Sequence, residues 1–185
     1  MRIIAGTFRS RQLKSLKGLT LRPTSDMLRE TLFNILGSRV EGSRFLDLFA
    51  GTGAVGIEAI SRAATLAVFV EKHPATVRLI RENLSSLEIT SQARVIPTDV
   101  AAAITRLAGD STLPFDVIFL DPPYANELQY QTTLHSLASS PLLAESTMVI
   151  AEHYKKFSLA KSIGPLTQFR VLVQGDACLS FYKSA

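Results

Sequence analysis

From Arg44 onward the chain alternates short apolar runs with longer segments of helical periodicity, a pattern that few architectures accept. The runs are Phe45 to Phe49, Ala67 to Val70, Arg94 to Pro97, Phe115 to Leu120 and Thr147 to Ala151. Such runs, rich in Val, Ile, Leu and Phe, suit strands covered on both faces, as in a parallel sheet. Helical segments lie between them, roughly at Val55 to Arg62, Pro74 to Leu87, Val100 to Leu107 and Leu128 to Ser139. His73-Pro74 puts a proline in a first turn, where its missing N–H is harmless. The end of the chain differs: Gln168 to Gln174 and Leu179 to Lys183 flank Gly175-Asp176, which predicts an antiparallel hairpin. The expected fold is α/β, a doubly wound, mostly parallel sheet of seven strands that finishes in that hairpin.

A different pattern precedes residue 44. Residues 2 to 15 alternate loosely, with Gly6 and Ser10 as breakers, and read as a small hairpin or arm. Arg22-Pro23-Thr24-Ser25-Asp26 then signals a helix start, Leu28, Leu32, Ile35 and Leu36 form its apolar face, and Gly37 ends it. This divides the chain into a basic extension, 1–43, and an α/β domain, 44–185. Residues 1 to 44 carry nine Lys/Arg against three acids, a net +6, whereas the remaining residues sum to −2. Positive charge gathered at one end of an otherwise neutral protein predicts a polyanionic partner, gripped through its phosphates by Arg2, Arg9, Arg11, Lys14 and Arg22. Arg22 also reads as a structural residue of the helix start.

Other classes recede. The single cysteine, Cys178, excludes an internal disulfide and reads as a buried thiol. His73, His135 and His153 have no metal-ligand spacing, so no metal is expected. The start lacks a signal peptide's apolar region and no apolar run approaches the roughly 20 residues of a membrane span, which predicts a cytoplasmic protein without membrane attachment. At 185 residues and 46% apolar content the chain can build one core, and a monomer is expected.

In a doubly wound sheet ligands bind beyond the carboxyl ends of the strands. Asp47, Glu71, Asp99 and Asp121 each fall near such an end, about one βα unit apart, and so should converge on one crevice. Between the first strand and first helix lies Asp47-Leu-Phe-Ala-Gly51-Thr-Gly53-Ala-Val-Gly56, which satisfies G-x-G-x-x-G and admits a dinucleotide cofactor. An acid just before the loop would repel a pyrophosphate, however, and would favour a ligand carrying ammonium and sulfonium groups. S-adenosylmethionine has that charge pattern. Its carboxylate would face the helix start, its ribose hydroxyls Glu71, and its adenine amine Asp99, with Phe49, Gly51, Thr52, Gly53 and Val100 completing the cofactor site. NAD stays open, although no hydride-transfer constellation accompanies it.

Asp121-Pro122-Pro123-Tyr124 follows the fourth run. An acid and a free carbonyl beside rigid prolines can accept the hydrogens of an exocyclic amine, and Tyr124 can stack on the base that carries it. These four residues are the candidate catalytic group. Phe33, Phe45 and Phe49 read as core from their helix and strand settings, and His153 is a candidate for the pocket border.

The arrangement resembles the class I S-adenosylmethionine-dependent methyltransferases, with a Rossmann-like fold, and Asp121-Pro-Pro-Tyr124 resembles their amino-methyltransferase motif. Arg2-Ile-Ile-Ala-Gly6 with Arg9-x-Arg11-x-Leu13, then Arg22-Pro-Thr-Ser-Asp26 leading to Arg29-Glu-x-Leu-Phe33-Asn-Ile-Leu36, closely resembles the RsmD family of bacterial ribosomal RNA guanine-N2 methyltransferases. That resemblance spans Arg2 to Tyr182. It implies transfer of a methyl group from S-adenosylmethionine to one guanine N2 of 16S ribosomal RNA, in an assembled or assembling small subunit. Ser10 stands where many relatives have glycine. A DNA adenine-N6 methyltransferase could share the tetrapeptide, but the chain lacks length for a separate DNA-reading domain. A nonenzymatic RNA-binding assembly protein is the third reading.

Overall fold

The computed structural model describes residues 1–15, 26–110, 113–123 and 127–184. Its strands are β1 (Arg44–Leu48), β2 (Leu66–Val70), β3 (Ala93–Ile96), β4 (Phe115–Leu120), β5 (Leu143–Tyr154), β6 (Ser162–Ile163), β7 (Leu166–Gln174) and β8 (Ala177–Ser184). The helices are α1 (Asp26–Leu36), α2 (Ala54–Ser61), α3 (Pro74–Ser86), α4 (Val100–Gly109) and α5 (Glu127–Ala138). One sheet runs β3-β2-β1-β4-β5-β8-β7-β6. The pairings from β3 through to β5 are parallel. Those of β8 with β5 and β7, and of β6 with β7, are antiparallel. The order reverses between β1 and β4, and the crevice beside that switch point is where such sheets bind ligands.

Alternate residues of each central strand enter different cores. Phe45, Phe69, Val117 and Phe119 meet α1, α2 and α3 through Leu32, Phe33, Ile57 and Ile80 on one face. Leu46, Leu48, Ile118 and Leu120 meet α4 and α5 through Ile104, Leu107, Leu134 and Leu137 on the other. With both faces covered, near-continuous apolar strands are what the architecture requires.

Eight strands replace the expected seven. The addition is β6, two residues that pair with Leu166 and Thr167 across a turn containing Gly164 (φ +54°), too short to leave a period in the sequence. β5 is longer than its apolar run at both ends, because Glu145 and Ser146 interrupt the apolar pattern of residues that still extend as strand. The helix-start residues Arg22 to Ser25 lie outside the described residues.

The arm closes through one antiparallel bridge, Arg2 to Gln12. Ile3 N–H donates to the Arg11 carbonyl (3.0 Å), Ser10 N–H to that of Ile3 (2.9 Å) and Leu13 N–H to that of Met1 (3.0 Å). Two left-handed residues shape it, Gly6 at φ +82° and Ser10 at φ +66°. A Cβ on Gly6 would lie 1.7 Å from the Ser61 carbonyl oxygen, so the arm lies directly against α2 there. Ile3 and Leu13 are buried in the same core as Phe45 and Ile57.

Candidate active site

Asp47 is buried inside β1, where its Oδ2 accepts the Gly56 N–H at 2.9 Å. Burial raises its pKa to about 7, Glu71 adds to the rise, and the Gly56 hydrogen bond opposes it. Glu71, the first residue after β2, holds the glycine loop: its Oε2 accepts the Gly51 N–H (3.1 Å) and its Oε1 the His73 N–H (2.8 Å). Each oxygen keeps a further lone pair for a ligand. Asp99 is exposed and caps α4, accepting the Ala102 N–H at 3.0 Å, and Val100 behind it is buried.

Asp121 leaves β4 with its N–H directed at the Leu48 carbonyl (3.5 Å), beside the start of the glycine loop. Its carboxyl is held well above the usual carboxylate range, by burial first, then by Glu152, then by Asp47. Glu152, the residue after the fifth apolar run, has no role in the sequence reading, and in the structure β5 continues past it to Tyr154. Yet Leu120 pairs with Ala151, so the next residues, Asp121 and Glu152, lie side by side. Along the sheet the acids stand in strand order: Asp99, Glu71, Asp47, Asp121 and the buried Glu152, one for each parallel strand. An acid immediately after an apolar run, at the same level as Asp121, was the signal for the fifth.

The loop's geometry explains its glycines unequally. Phe49, Gly51 and Gly53 have φ of +63°, +55° and +79°. A left-handed phenylalanine is strained, and such strain concentrates at functional sites. Phe49 is half-buried against the α4/α5 core, whereas Phe33 and Phe45 stack inside the other core with ring centroids 6.2 Å apart. Gly56 serves packing: a Cβ there would lie 2.3 Å from the Phe69 ring. Thr52 is half-buried, and its carbonyl accepts from Asn83 Nδ2 at 3.1 Å.

Pro122 is buried and Pro123 exposed, and Tyr124 lies outside the described residues. The Pro122 carbonyl accepts the Tyr130 hydroxyl at 3.3 Å. Burial pushes the Tyr130 phenol far up, with Asp121 and Glu152 adding to it, so it stays a neutral donor. His153 packs edge-on against Tyr130, centroids 6.2 Å apart. Its Nδ1 meets the Tyr154 carbonyl (3.0 Å), which can only accept, so Nε2 of the neutral ring receives the Ser180 hydroxyl (2.8 Å). Burial lowers its pKa and favours that neutral form.

Of the arm's cations, Arg2, Arg9, Arg11 and Lys14 are exposed and Arg22 lies outside the described residues. Arg2 lies 3.9 Å from Asp26, Arg11 donates to the Ser86 carbonyl (3.2 Å), and Lys14 pairs with Glu82 (2.9 Å). The arm's backbone is fastened by residues with no assigned role in the sequence reading. Buried Glu58 accepts from Ile4 N–H (2.8 Å) and Ala5 N–H (3.0 Å), and pairs with Arg62 (2.8 Å) and the fully buried Arg29 (3.8 Å). An acid inside an otherwise apolar helix was its only mark in the sequence.

A family model described as conserved hypothetical protein 95 matches residues 1–183. Ribosomal RNA small subunit methyltransferase D of Escherichia coli K12 is 37% identical over 183 residues, 99% of this chain and 89% of the relative. The Haemophilus influenzae protein of the same name is 38% identical over 157 residues, covering 84% of this chain and 79% of its own. The solved structure of yhhF from Escherichia coli superimposes with a TM-score of 0.85 at 32% identity, covering 100% of this chain and 97% of that one. Sequence and fold agree over the whole chain, and the protein belongs to the conserved hypothetical protein 95 family and, within it, to the RsmD family of small-subunit ribosomal RNA methyltransferases.

Proposed function

We propose that this protein transfers a methyl group from S-adenosylmethionine to the exocyclic N2 of one guanine of 16S ribosomal RNA, acting as a cytoplasmic monomer on an assembled or assembling small subunit. The observation that carries the reading is the placement of Asp121 and Pro122 at the end of β4, one hydrogen bond from Leu48 and hence beside the glycine loop. The chemistry of the crevice fits the cofactor. Burial raises the proton affinity of Asp47 and Asp121, with Glu71 adding to the first and Glu152 and Asp47 to the second, and a ligand bearing ammonium and sulfonium charges would offset both. Asp47, Phe49, Gly51, Thr52, Gly53, Glu71, Asp99 and Val100 would hold it, Glu71 through the ribose and Asp99 through the adenine amine.

When bound, S-adenosylmethionine supplies an electrophilic methyl on sulfur. The guanine amine is a weak nucleophile because its lone pair is delocalised into the ring. Asp121 and the Pro122 carbonyl accept its two hydrogens and turn the lone pair toward the methyl, while Tyr124 stacks on the base. The cofactor would give up its methyl with the C–S electron pair staying on sulfur, and the proton of the methylated, positive nitrogen would pass to the Asp121 carboxylate or to water. The guanine leaves any stack to enter the pocket. Arg2, Arg9, Arg11, Lys14 and Arg22 grip the RNA backbone.

Methyl transfer to naked ribosomal RNA, small subunits and DNA, followed by mass spectrometry of the modified nucleoside, tests the reading. N2-methylguanine in 16S ribosomal RNA supports it. N6-methyladenine in DNA, or RNA binding without transfer, overturns it.

A further inference from the structure

Asn83 is fully buried on α3, between the basic arm and the glycine loop. Its Oδ1 accepts the Lys14 N–H at 2.8 Å. Its Nδ2 donates to the Lys14 carbonyl at 3.2 Å and to the Thr52 carbonyl at 3.1 Å. One amide therefore uses both of its hydrogens and its oxygen on two backbone segments that lie 38 residues apart in sequence. The same two segments meet again at the chain's start. Thr52 Oγ1 lies 3.8 Å from the Met1 sulfur, and the Met1 carbonyl accepts the Leu13 N–H at 3.0 Å. Neither Lys14 nor Thr52 can shift its peptide without breaking a part-buried hydrogen bond to the buried Asn83 amide, and orphaning that amide is costly.

We infer that Asn83 is a positioning residue that makes the arm and the cofactor loop one linked unit, so that cofactor on the loop orders the RNA-contacting arm and RNA on the arm tightens the cofactor. The inference rests on the function proposed above, with the cofactor at Thr52 and RNA at Lys14. It adds a thermodynamic link between them. A ligand that restrains the Thr52 peptide restrains Asn83, and through it Lys14, so the second ligand has less conformational freedom left to remove. Linkage requires the effect to be reciprocal.

Hydrogen exchange on the full chain, with and without saturating S-adenosylhomocysteine, reads the link without catalysis. Expected is slower exchange at the Ile3, Ser10, Leu13 and Lys14 amides when the ligand is bound. Equilibrium dialysis of labelled S-adenosylhomocysteine supplies the reverse reading, with unmethylated small subunits tightening it by about 5-fold or more. Asn83→Ala should bring that factor below about 2 while both ligands still bind. Asn83→Leu, which removes the same hydrogen bonds while filling the buried site, should do the same if Asn83→Ala does not fold. Ligand binding that leaves the arm amides unchanged, or a factor that survives both variants, overturns the inference alone. Absence of S-adenosylhomocysteine binding overturns the cofactor reading beneath it.

Discussion

The Tyr130 hydroxyl donates to the Pro122 carbonyl at 3.3 Å, so the carbonyl assigned to the substrate amine is already aimed by a buried phenol. A carbonyl has a second lone pair, and the bond to Tyr130 fixes where that pair points. Tyr130→Phe should lower kcat about 10-fold, an effect of about 1.4 kcal/mol on the barrier, and leave affinity for S-adenosylhomocysteine within about 2-fold. Steady-state kinetics beside equilibrium dialysis checks the separation. A fall in cofactor affinity matching the fall in kcat would place Tyr130 in the scaffold instead.

Asp121→Ala should retain cofactor binding and lose at least about 100-fold in methyl transfer, because both the acceptor and its charge disappear. Near-normal turnover by this variant would remove Asp121 from the mechanism.

Glu152 beside Asp121 raises the latter's proton affinity, second only to burial itself. The acceptor form of Asp121 is the carboxylate, so activity should fall as pH drops through its raised pKa. Glu152→Gln removes the neighbouring charge and should move the acidic limb of the kcat/KM profile to lower pH. An unmoved limb would show that the two carboxyls do not interact during turnover.

Asp47 has its pKa raised from the ordinary 3.8 to about 7. The folded protein therefore keeps a proton that the unfolded chain releases, and this group's contribution to stability falls as pH rises from about 4 to 7. Asp47→Asn keeps an oxygen for the Gly56 N–H without the buried charge. Thermal unfolding should show it more stable than the parent at pH 8, by on the order of 1 kcal/mol or about 3 °C, with the gain vanishing near pH 4. Cofactor affinity should fall in the same variant, since the charge opposite the ligand's cations is lost.

Ser10 adopts φ +66°, a conformation that glycine accepts without the Cβ penalty. Ser10→Gly should stabilise the protein by about 0.5–1 kcal/mol. Gly6→Ala combines a φ of +82° with a Cβ 1.7 Å from the Ser61 carbonyl oxygen. It should destabilise by about 3 kcal/mol or more, because the arm must lift from α2. Chemical denaturation of the two variants measures both signs.

The sheet was legible because its signal is local. Apolar runs starting at Phe45, Ala67 and Phe115, each broken by one acid at most, suit burial on both faces of a covered parallel sheet, and Gly175-Asp176 marks a hairpin within a few residues. The acids Asp47, Glu71 and Asp121 were legible for the same reason, as each follows or sits within such a run, and the glycine loop declares itself by spacing. β6 was not legible, since two residues carry no period.

What the sequence by itself determined is therefore the order of strands and helices, the end of the sheet where the acids gather, and the residue types delivered there, all from patterns spanning a few neighbouring positions. Tertiary structure alone decided which distant groups act together. Strand register set Glu152 beside Asp121, the packing of α5 brought the Tyr130 hydroxyl to Pro122, and α3 carried Asn83 between Lys14 and Thr52. A lone acid, phenol or amide has no periodicity that names its partner. Its role follows from burial, which removes water as the alternative partner and makes each of these contacts obligatory.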